Sequence, residues 1–597
     1  MIRRAGLAVG GGTAAACAYG YYEARQRMGD DALARIISYD KVALPAIMEY
    51  KWTEAKCEKL PKVVPWLFPP VSDEEEREQF AVLHNKYAPP LFEKFMELGG
   101  FYYKNGQKIA SNTPPGAVPK VYVDMFQPFL NAIPPRDPSE VRKVVEAELG
   151  RPREEVFSSF DETPIGCASI GQAHRAVLKS TGERVVVKVQ NPEAERTFRG
   201  DVFALKVLVD AFMPQVSPSF DEIAKQFATE FDYRGEAQNA MDIRNNLLDS
   251  PFKDEVIIPK VYPELCSKRL MVMEEIYPSV PLHHALDEQA ALLAKQRGVT
   301  KEQFIAAEKA RVEREAWEAA RQGRLVRQLS SNTYEKYIKL QKARRGLLRA
   351  WRHTYNWSIG LVLPKRYKYD MSSSASGGVD DVFVPINAAK LVDDLLAVHG
   401  YEVLINGCFN ADPHPGNVLY LDGKLALIDY GQVKRLTERE RLDLAKTFVL
   451  TEAAIKLDPR SAGKNFDAEA HKRAKASIFA HSKHMGVRTE RMDPQVAYEM
   501  AVVYWGRMDA VWLYPQNILQ WTDSMQSRDP IRTLENVEYF VMVSMTSLML
   551  RGLGEMLQQS RNIATVWAPY ARQALQEKGK LAEVEAEIAT WTAKDKE

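Results

Sequence analysis

The sequence is poor in the residues that build disulfide frameworks and zinc sites. Its 597 residues include five cysteines, an odd number, and these have none of the short spacings of metal ligands. They are Cys17, Cys57, Cys167, Cys266 and Cys408. A disulfide-stapled fold and a structural zinc site are therefore not expected, and the thiols are predicted to be reduced.

The chain also has almost no excess of charge of either sign. Lysine and arginine total 80 and aspartate and glutamate total 79, so the formal net charge is +1. Such a balance gives no global attraction to nucleic acid or to a membrane, and any electrostatic preference must be local. The hydrophobic content of 46% is sufficient for a sizeable core, and the length predicts several domains.

Long uninterrupted apolar runs are scarce as well. Residues 5–22 form a Gly- and Ala-rich stretch that follows Arg3 and Arg4 and precedes the first acidic residue, Glu23. This pattern suits an organellar presequence or a weak membrane anchor, and cleavage, fraying and membrane spanning all remain open for it. The apolar region at 537–557 contains many polar residues and is predicted to be a buried helix.

The sequence does contain a dense group of chemical motifs between residues 410 and 431. Asp412 is followed five positions later by Asn417, the spacing with which protein kinases place a catalytic base and a metal ligand on one loop. Phosphoryl transfer requires groups that hold metal and one carboxylate aimed at the attacking group. We therefore predict Asp412 to be a catalytic base or water-orienting carboxylate, and Asn417 to be a metal ligand.

A β-hairpin is predicted directly after this loop. Residues 418–421 are apolar, the Asp-Gly pair at 422–423 is one that a two-residue turn prefers, and residues 425–428 form the return strand. The hairpin ends at an Asp-Tyr-Gly triplet that begins with Asp429, where a kinase has its D-F-G. Asp429 is accordingly predicted to hold Mg²⁺ against nucleotide phosphates.

A lysine inside an apolar strand marks a second candidate region. Lys188 lies in a Val-Val-Val-Lys-Val context like the V-A-I-K strand of kinases, and a lysine there would be unfavourable without an anionic partner such as phosphate. Upstream, residues 164–174 are mostly small, which would let backbone N–H groups approach phosphate although a G-x-G-x-x-G string is absent. The apolar strand at 270–275 should lead to a hinge at which Met273 and Glu274 meet an adenine ring.

Together these strings resemble the UbiB/aarF-domain family of atypical kinases, also called the ADCK family. The Asp-Pro-His-Pro-Gly-Asn core of the family signature is intact at 412–417, and Asn410 stands where members usually carry histidine. The A-S-x-G-Q core of the family's alanine-rich nucleotide loop is present at 168–172, with Cys167 in place of a typical alanine. The resemblance implies nucleotide contacts by Ala168, Ser169, Ile170, Gly171 and Gln172.

A second family motif lies in the N-terminal region, ahead of the kinase-like part. The family's K-x-G-Q string, which ordinary kinases lack, is present at Lys104, Gly106 and Gln107. The resemblance implies a helical extension that folds over the nucleotide site and delivers Lys104 and Gln107 to it.

The acidic partners of these lysines are assigned through the segment FATEFDYRGEAQNA. It carries the family's E-x-D motif at Glu230 and Asp232, followed by Glu236. The resemblance implies that Glu236 pairs with Lys188 and that Glu230 contacts Lys104. Asp232 is equally compatible with a solvated helix face.

We predict an α+β, protein-kinase-like bilobal fold with a helical N-terminal extension and a large, mostly helical insertion. The predicted segments are 1–30 (targeting or anchor), 31–150 (helical extension), 151–284 (N-lobe), 285–380 (charged and basic insertion) and 381–597 (helical C-lobe). The insertion separates the hinge from a long helix predicted at 387–399, and it ends in a Ser- and Gly-rich linker at 372–378.

The middle of this insertion is basic. The stretch from Lys336 to Arg352 interleaves lysine and arginine with aromatic and aliphatic residues and contains no acid. That composition suits a helix lying on an anionic membrane. A solvated helical hairpin packed on the C-lobe and partial disorder are equally compatible with it. No nucleic-acid-binding module is recognisable, so a nucleic-acid partner is not expected.

The motifs and the resemblance together predict an atypical, protein-kinase-like ATPase or phosphotransferase. Its predicted ligands are ATP or ADP and Mg²⁺, with Lys188 and Glu236 as further catalytic residues that hold the phosphates. The resemblance implies a link to mitochondrial lipid or coenzyme Q metabolism. It thus favours a membrane-associated protein of the mitochondrion rather than of the plastid. Anionic lipid could bind the N-terminus or the basic insertion, and a homodimer is left open.

Two other functions remain open at this point. A nucleotide-binding scaffold at a mitochondrial membrane would switch conformation without turnover, although it would not need Asp412 or Asp429. A Ser/Thr protein kinase would require a substrate groove, and no A-P-E string follows Gly431.

Overall fold

The computed structural model describes most of the chain from residue 30 onward. The described ranges are 30–103, 105–106, 119–130, 135–168, 170–212, 231–322, 330–362, 385–509, 527–534 and 538–593, with single residues at 22, 25, 326, 328, 368, 521, 524 and 525. Except for Tyr22, the predicted presequence or anchor at 5–22 lies outside the described residues. None of the helices in the described ranges combines the length and apolar content that a membrane crossing requires.

Helices account for most of the described residues. Those of seven or more residues are α1 (Asp30–Glu54), α2 (Asp73–Leu98), α3 (Lys120–Phe126), α4 (Pro138–Leu149), α5 (Ala194–Phe212), α6 (Tyr233–Leu248), α7 (Leu282–Arg297), α8 (Lys301–Arg321), α9 (Ser331–Trp357), α10 (Ala388–Tyr401), α11 (Glu438–Leu457), α12 (Ala468–Met485), α13 (Pro494–Trp505), α14 (Glu538–Met556), α15 (Ile563–Glu577) and α16 (Leu581–Thr592). Shorter helical turns lie at Ala55–Lys59, Leu60–Val63, Gln127–Leu130, Arg153–Val156, Pro263–Leu265, Ile359–Val362, Glu402–Asn406, Pro415–Asn417, Pro459–Ala462 and Gly463–Asn465.

The described strands are short and form four sheets. They are β1 (Phe157–Phe160), β2 (Gly166–Cys167), β3 (Gly171–Leu178), β4 (Arg184–Gln190), β5 (Val256–Ile257), β6 (Leu270–Glu274), β7 (Val280–Pro281), β8 (Cys408–Asn410), β9 (Val418–Leu421), β10 (Lys424–Leu427), β11 (Val433–Arg435), β12 (Val487–Thr489) and β13 (Ile531–Leu534). One sheet has the order β1-β3-β4-β6 with β2 on β3, a second has the order β5-β10-β9-β7, and two further sheets pair β8 with β11 and β12 with β13.

The chain folds as two compact units that interleave along the sequence. The first unit consists of residues 1–241 and 260–275, and the second consists of residues 242–259 and 276–597. The segments predicted as the helical extension and most of the N-lobe share the first unit. Those predicted as the insertion and the C-lobe share the second.

The N-terminal helices of the first unit are held by an aromatic core and by one buried ion pair. Arg35 on α1 donates to both carboxylate oxygens of Asp201 on α5, at 3.0 and 2.7 Å. Burial raises the pKa of Asp201 to about 6, and Arg35 acts to lower it. The aromatic core consists of Phe95, Tyr102, Phe126 and Phe129. These contacts join the extension to the helix that follows β4.

The five-stranded sheet of the first unit is antiparallel throughout. β-Branched residues favour such a pleated, buried surface. Its core includes Val185, Val187 and Val189 of β4, together with valines of α4. Asp137 caps α4 by accepting from the Ser139 N–H at 2.8 Å, and the helix ends at a left-handed Gly150.

The four-stranded sheet of the second unit contains the predicted hairpin. β9 and β10 pair from Val418 opposite Leu427 to Leu421 opposite Lys424. Asp422 has φ 46° and Gly423 has φ 87°. Positive φ at both central residues identifies the type I′ turn that an Asp-Gly pair favours. The hairpin is therefore confirmed, with a return strand that begins at Lys424, one residue earlier than predicted.

The helices of the second unit pack around buried aromatic side chains. Phe448 of α11 lies with its ring 4.9 Å from Trp567 of α15. A Cβ atom on Gly400 of α10 would lie 2.5 Å from the Trp567 ring, so glycine permits this close approach. The helix predicted at 387–399 is confirmed as α10, with Asn387 as its N-cap. The apolar stretch at 537–557 forms α14, which has many buried side chains.

Candidate active site

The first group of predicted site residues lies in the first unit, where a strand lysine meets a helix glutamate. Lys188 on β4 donates to both carboxylate oxygens of Glu236, with Nζ–Oε distances of 2.6 and 2.8 Å. The ring centroid of Tyr233 lies 5.1 Å from Nζ. Both charged side chains are largely buried. The predicted ion pair is present, while its role toward a phosphate stays a prediction.

Local folding explains how these two residues meet. Lys188 pairs across the sheet with Ala173 on β3 and Met271 on β6, so its backbone is fixed from both sides. Glu236 lies in the first turn of α6, where the helix dipole favours a carboxylate. The ion pair therefore ties the central strand of the sheet to the start of α6.

The loop predicted to cover a nucleotide is a tight turn between β2 and β3. The Ala168 N–H donates to the Gly171 carbonyl at 2.7 Å, and Ile170 packs against a buried phenylalanine cluster. A Cβ atom on Gly171 would lie 2.5 Å from both the Val189 carbonyl oxygen and the Tyr233 hydroxyl. Glycine at this position is thus required by a close approach of strand and helix.

Gln172 is buried and is bonded within the protein. Its Oε1 accepts from the Arg136 N–H at 2.9 Å, and its Nε2 donates to Nε2 of His174 at 2.8 Å. His174 in turn donates from Nδ1 to the Asp161 carbonyl at 2.8 Å. Burial lowers the pKa of His174, which keeps the ring in the neutral form that this network requires. Gln172 therefore has a structural role whether or not it also contacts a nucleotide.

The second group of predicted site residues lies in the second unit, around the β9–β10 hairpin. Asn417 immediately precedes β9, and its Nδ2 donates to Oδ2 of Asp429 at 3.2 Å. The other oxygen of Asp429, Oδ1, accepts from the Gly431 N–H at 2.9 Å. The Ile428 N–H donates to the Asn417 carbonyl at 3.2 Å, so the hairpin register itself brings the two predicted metal ligands together.

Asn410 connects the predicted base to the predicted metal ligand. Its Oδ1 accepts from the Asp412 N–H at 2.9 Å, and its Nδ2 donates to the Asp429 carbonyl at 2.9 Å. The residue is buried at the end of β8. Asn410 stands where the family usually has histidine. Its side-chain amide therefore satisfies one backbone donor, the Asp412 N–H, and one backbone acceptor, the Asp429 carbonyl.

A buried carboxyl group supports Asn410 from the preceding helical turn. Oε2 of Glu402 accepts from the Asn410 N–H at 3.2 Å. Among the described residues, Oε1 of Glu402 has no hydrogen-bond partner. Burial raises the pKa of Glu402 to about 8, against its ordinary value of 4.5. The group is therefore mostly protonated at neutral pH.

The residues around the hairpin suit the predicted Mg²⁺. Magnesium prefers oxygen ligands and commonly binds through one or two carboxylates together with water and substrate phosphates. The side chain of Asn417 offers an amide oxygen and that of Asp429 offers carboxylate oxygens. The two side chains are neighbours, since Nδ2 of Asn417 lies 3.2 Å from Oδ2 of Asp429. This donor set fits the ion, and these two residues would hold it.

The predicted hinge residues lie at the end of β6, just before the chain enters the second unit at residue 276. Met273 is buried, whereas Glu274 is partly exposed. The Glu274 N–H donates to the Lys260 carbonyl at 2.8 Å, and the Lys260 N–H donates to Oε2 of Glu274 at 3.0 Å. The contact of this segment with adenine stays a prediction.

Some predicted contacts fall on residues that the structure does not describe. Lys104, Gln107, Ser169 and Glu230 all lie outside the described residues. Between the first two, Gly106 is buried, and a Cβ atom there would lie 2.8 Å from the Phe129 ring. Asp232 pairs with Arg234 at 2.6 Å and is half-exposed, as a solvated helix face would be.

Comparison with known proteins identifies the domain that carries both groups of residues. Residues 129–305 and 383–464 match the ABC1 atypical kinase-like domain. The chain carries an ABC1 atypical kinase-like domain. The resemblance to the UbiB/aarF-domain family is thereby confirmed. Residues 306–382, which include α9, lie outside the matched parts of the ABC1 domain.

Relatives of the ABC1 domain come from fungi, bacteria and plants. The chain is 32% identical over 238 residues to an ABC1 family protein of Schizosaccharomyces pombe, which is 39% of this chain and 43% of that protein. It is 34% identical over 230 residues to the probable protein kinase UbiB of Shewanella sp. strain ANA-3, covering 36% and 40% of the two chains. It is 35% identical over 213 residues to an uncharacterised chloroplastic aarF domain-containing protein kinase of Arabidopsis thaliana, covering 34% and 38%.

The match to the ABC1 atypical kinase-like domain confirms the predicted α+β, kinase-like fold with extra helices. The chain spans only about 40% of the length of the curated relatives it matches. A solved structure of Rv3197 in complex with erythromycin, from Mycobacterium tuberculosis, matches 82% of this chain and 97% of that chain. Its sequence identity is 18% and its TM-score 0.41.

Within the ABC1 domain, sequence reasoning missed several residues that organise the site. Asn410 stood out only as a departure from the family signature, and its two hydrogen bonds were not foreseen. Glu402 carried no motif, although an acid in a run of apolar residues is a usable signal for a buried group. Arg136 and His174 could not be linked to Gln172, because their contacts depend on how separate segments pack.

Proposed function

We propose that this chain is an atypical kinase or ATPase that binds ATP with Mg²⁺ and transfers or hydrolyses the terminal phosphoryl group. In this proposal Lys188, oriented by Glu236, holds the phosphates, and Asn417 and Asp429 hold the metal. Asp412 accepts the proton of the attacking group or orients a water. Mg²⁺, when bound, neutralises charge that develops on the phosphoryl oxygens.

One observation carries the proposal more than any other. The hairpin register places Asn417 and Asp429 within 3.2 Å of each other, and Asn410 bonds both to the backbone of Asp412 and to that of Asp429. Three side chains with the chemistry of phosphoryl transfer are thereby held in one short segment. A structural turn would not need two acids and an amide in this arrangement.

We also propose that the activity serves mitochondrial lipid or coenzyme Q metabolism at a membrane. The support is the basic, small-residue N-terminal stretch and the family resemblance. Membrane lipid should then increase turnover, because the substrate or activator would be presented by the bilayer.

The test is Mg²⁺-dependent ATP hydrolysis by the full chain, with and without vesicles that contain cardiolipin. Asp429→Asn should lower turnover at least about 100-fold, because an amide is a much poorer ligand for Mg²⁺ than a carboxylate. Asp422→Asn is the matched control. It makes the same chemical change in the hairpin turn, where asparagine also tolerates the observed φ of 46°.

The outcomes separate the candidate functions. Turnover that requires Mg²⁺, rises with vesicles and is lost only in Asp429→Asn would support the proposal. Nucleotide binding without turnover under any condition would instead support a scaffold. Equal turnover in wild type and Asp429→Asn would remove Asp429 from the metal site. Efficient phosphorylation of a protein on serine or threonine would favour the protein-kinase alternative.

A further inference from the structure

Helix α9 presents a row of large apolar side chains to solvent. Across its whole described length, from Ser331 to Trp357, α9 has no buried side chain. The exposed fractions are 46% for Tyr337, 64% for Leu340, 73% for Leu347 and 54% for Trp351. Positions 337, 340, 344, 347 and 351 recur every three or four residues, so they share one face of the helix.

A different row of α9 makes its contacts with the rest of the second unit. Residues 334, 338, 341, 345, 348, 352 and 355 also follow the three-and-four spacing, and all of them are half-buried. Near its start, the Ser331 carbonyl accepts from Nδ2 of Asn387, the N-cap of α10, at 3.3 Å. The helix is thus attached through one row, while the apolar row beside it is exposed.

After Glu335, near the start of α9, the charges on the helix and in the residues that follow it have a single sign. Between Glu335 and Asp370 there are ten lysine and arginine residues and no acid. Seven of these cations lie on α9 itself: Lys336, Lys339, Lys342, Arg344, Arg345, Arg349 and Arg352. The chain as a whole has a net charge of only +1, so this is a local concentration rather than a general property.

The apolar row and the cations of α9 together indicate which kind of partner fits this surface. An apolar row flanked by cations and containing tryptophan suits the boundary between anionic headgroups and acyl chains. A second copy of α9 would bring its seven cations against the seven of the first copy, which opposes self-association. A nucleic acid would neutralise the cations but would leave Leu340 and Leu347 in water.

We propose that the exposed face of α9 docks in the plane of an anionic lipid bilayer. Leu340, Leu347 and Trp351 enter the acyl boundary, and the lysine and arginine residues contact the headgroups. Because residues 306–382 lie outside the matched parts of the ABC1 domain, this surface is an addition to the kinase-like part. Its test needs no nucleotide turnover, so it stands apart from the proposed enzymatic function.

The experiment is co-flotation of the full chain with vesicles. One set is phosphatidylcholine alone, and in the other roughly a third of the lipid is phosphatidylglycerol. One variant combines Leu340→Glu with Leu347→Glu, and another combines Lys336→Gln, Lys339→Gln and Lys342→Gln. The matched control removes three exposed lysines elsewhere, by Lys309→Gln, Lys472→Gln and Lys580→Gln.

Wild type and control should bind only the anionic vesicles, and both α9 variants should lose at least about tenfold in partitioning. Equal binding by wild type and the α9 variants would overturn the proposal. Equal binding to both vesicle types would also overturn the proposal. So would a wild-type dimer that is lost in the variant with Leu340→Glu and Leu347→Glu, or binding of the chain to RNA without binding to vesicles.

A depth measurement keeps the test independent of any contribution from the N-terminus. Lipids brominated in their acyl chains should quench part of the tryptophan fluorescence of the bound protein. Trp351→Phe should remove a share of that quenching, whereas Trp317→Phe on α8, a tryptophan of similar exposure, should remove none. Identical quenching in wild type and Trp351→Phe would overturn the proposal.

Discussion

The two groups of site residues differ in how the fold holds them. In the first unit, Lys188 and Glu236 lie 48 positions apart on a strand and a helix, and each is the other's buried partner. In the second unit, Asn410, Asp412, Asn417 and Asp429 lie within 20 residues. Hydrogen bonds from the side-chain amides of Asn410 and Asn417 hold them in a loop and a hairpin. The first group therefore helps to hold separate elements of its unit together. The second group is positioned by neighbouring residues within one loop and hairpin.

The largest effect on stability is expected from breaking the first group. Lys188→Met leaves the Glu236 carboxylate buried without its cation, and we expect a loss of about 2–3 kcal/mol in the free energy of unfolding. ATP turnover should be lost as well if Lys188 holds phosphates. Urea denaturation monitored by circular dichroism measures the first effect, and a phosphate-release assay measures the second.

A double variant separates the two roles of this ion pair. Lys188→Met combined with Glu236→Leu removes both charges, so it should recover most of the lost stability while turnover stays absent. If the single variant Lys188→Met has the same free energy of unfolding as wild type, the Lys188–Glu236 ion pair does not stabilise the first unit.

Within the second group, Asn410 should matter more for stability than its metal-binding neighbours. Asn410→Ala removes one hydrogen-bond partner from the Asp412 N–H and one from the Asp429 carbonyl in a partly buried place, which should cost about 1–2 kcal/mol and lower turnover about tenfold. Asn417→Ala is the control, since its half-buried amide should contribute to turnover but little to stability. Equal stability of the two variants would contradict this distinction.

Glu402 should make stability depend on pH in a particular direction. Its pKa is raised to about 8 in the folded chain, so between pH 4.5 and about 8 the folded state holds a proton that the unfolded state releases. The stabilisation from this neutral group is complete below pH 4.5 and declines as the pH rises toward 8.

Glu402→Gln cannot ionise, so it should become more stable relative to wild type as the pH rises across this range. Melting curves from pH 5 to pH 9 measure the effect. A constant difference between variant and wild type at every pH would show that Glu402 does not carry the proton.

The smallest effect on stability and turnover is expected from changing Asp232. This prediction contrasts a surface acid, Asp232, with the buried acid Glu236 of the same segment. Its ion pair with Arg234 is half-exposed, so Asp232→Asn should change stability by no more than about 0.5 kcal/mol. Turnover should stay close to that of wild type. A loss of turnover comparable with that of Lys188→Met would mean that Asp232 acts at the site rather than on the surface.

The features that sequence predicted best are those fixed by neighbouring residues. The Asp-Gly pair at 422–423 requires two positive φ angles and thus determined the hairpin that aligns Asn417 with Asp429. Asn387 and the apolar spacing after it determined α10. The valines around Lys188 predicted its strand, and the family motif supplied Glu236 as its partner.

The features that sequence could not predict are contacts between segments that meet only through packing. Gln172 was assigned to a nucleotide from its motif, yet its described bonds go to Arg136 and His174. The Arg35–Asp201 ion pair joins helices 166 positions apart and lies on no motif. Composition described α9 as amphipathic and basic, but only the fold shows which of its rows is left exposed.

The most direct test of the central claim is the effect of Mg²⁺ on ATP binding, measured by calorimetry with the full chain. The claim predicts that Mg²⁺ tightens ATP binding by wild type and by Asp422→Asn, and that this gain disappears in Asp429→Asn. ATP binding that is indifferent to Mg²⁺ in wild type, or a gain that survives in Asp429→Asn, would contradict the assignment of the hairpin segment as a metal–nucleotide site.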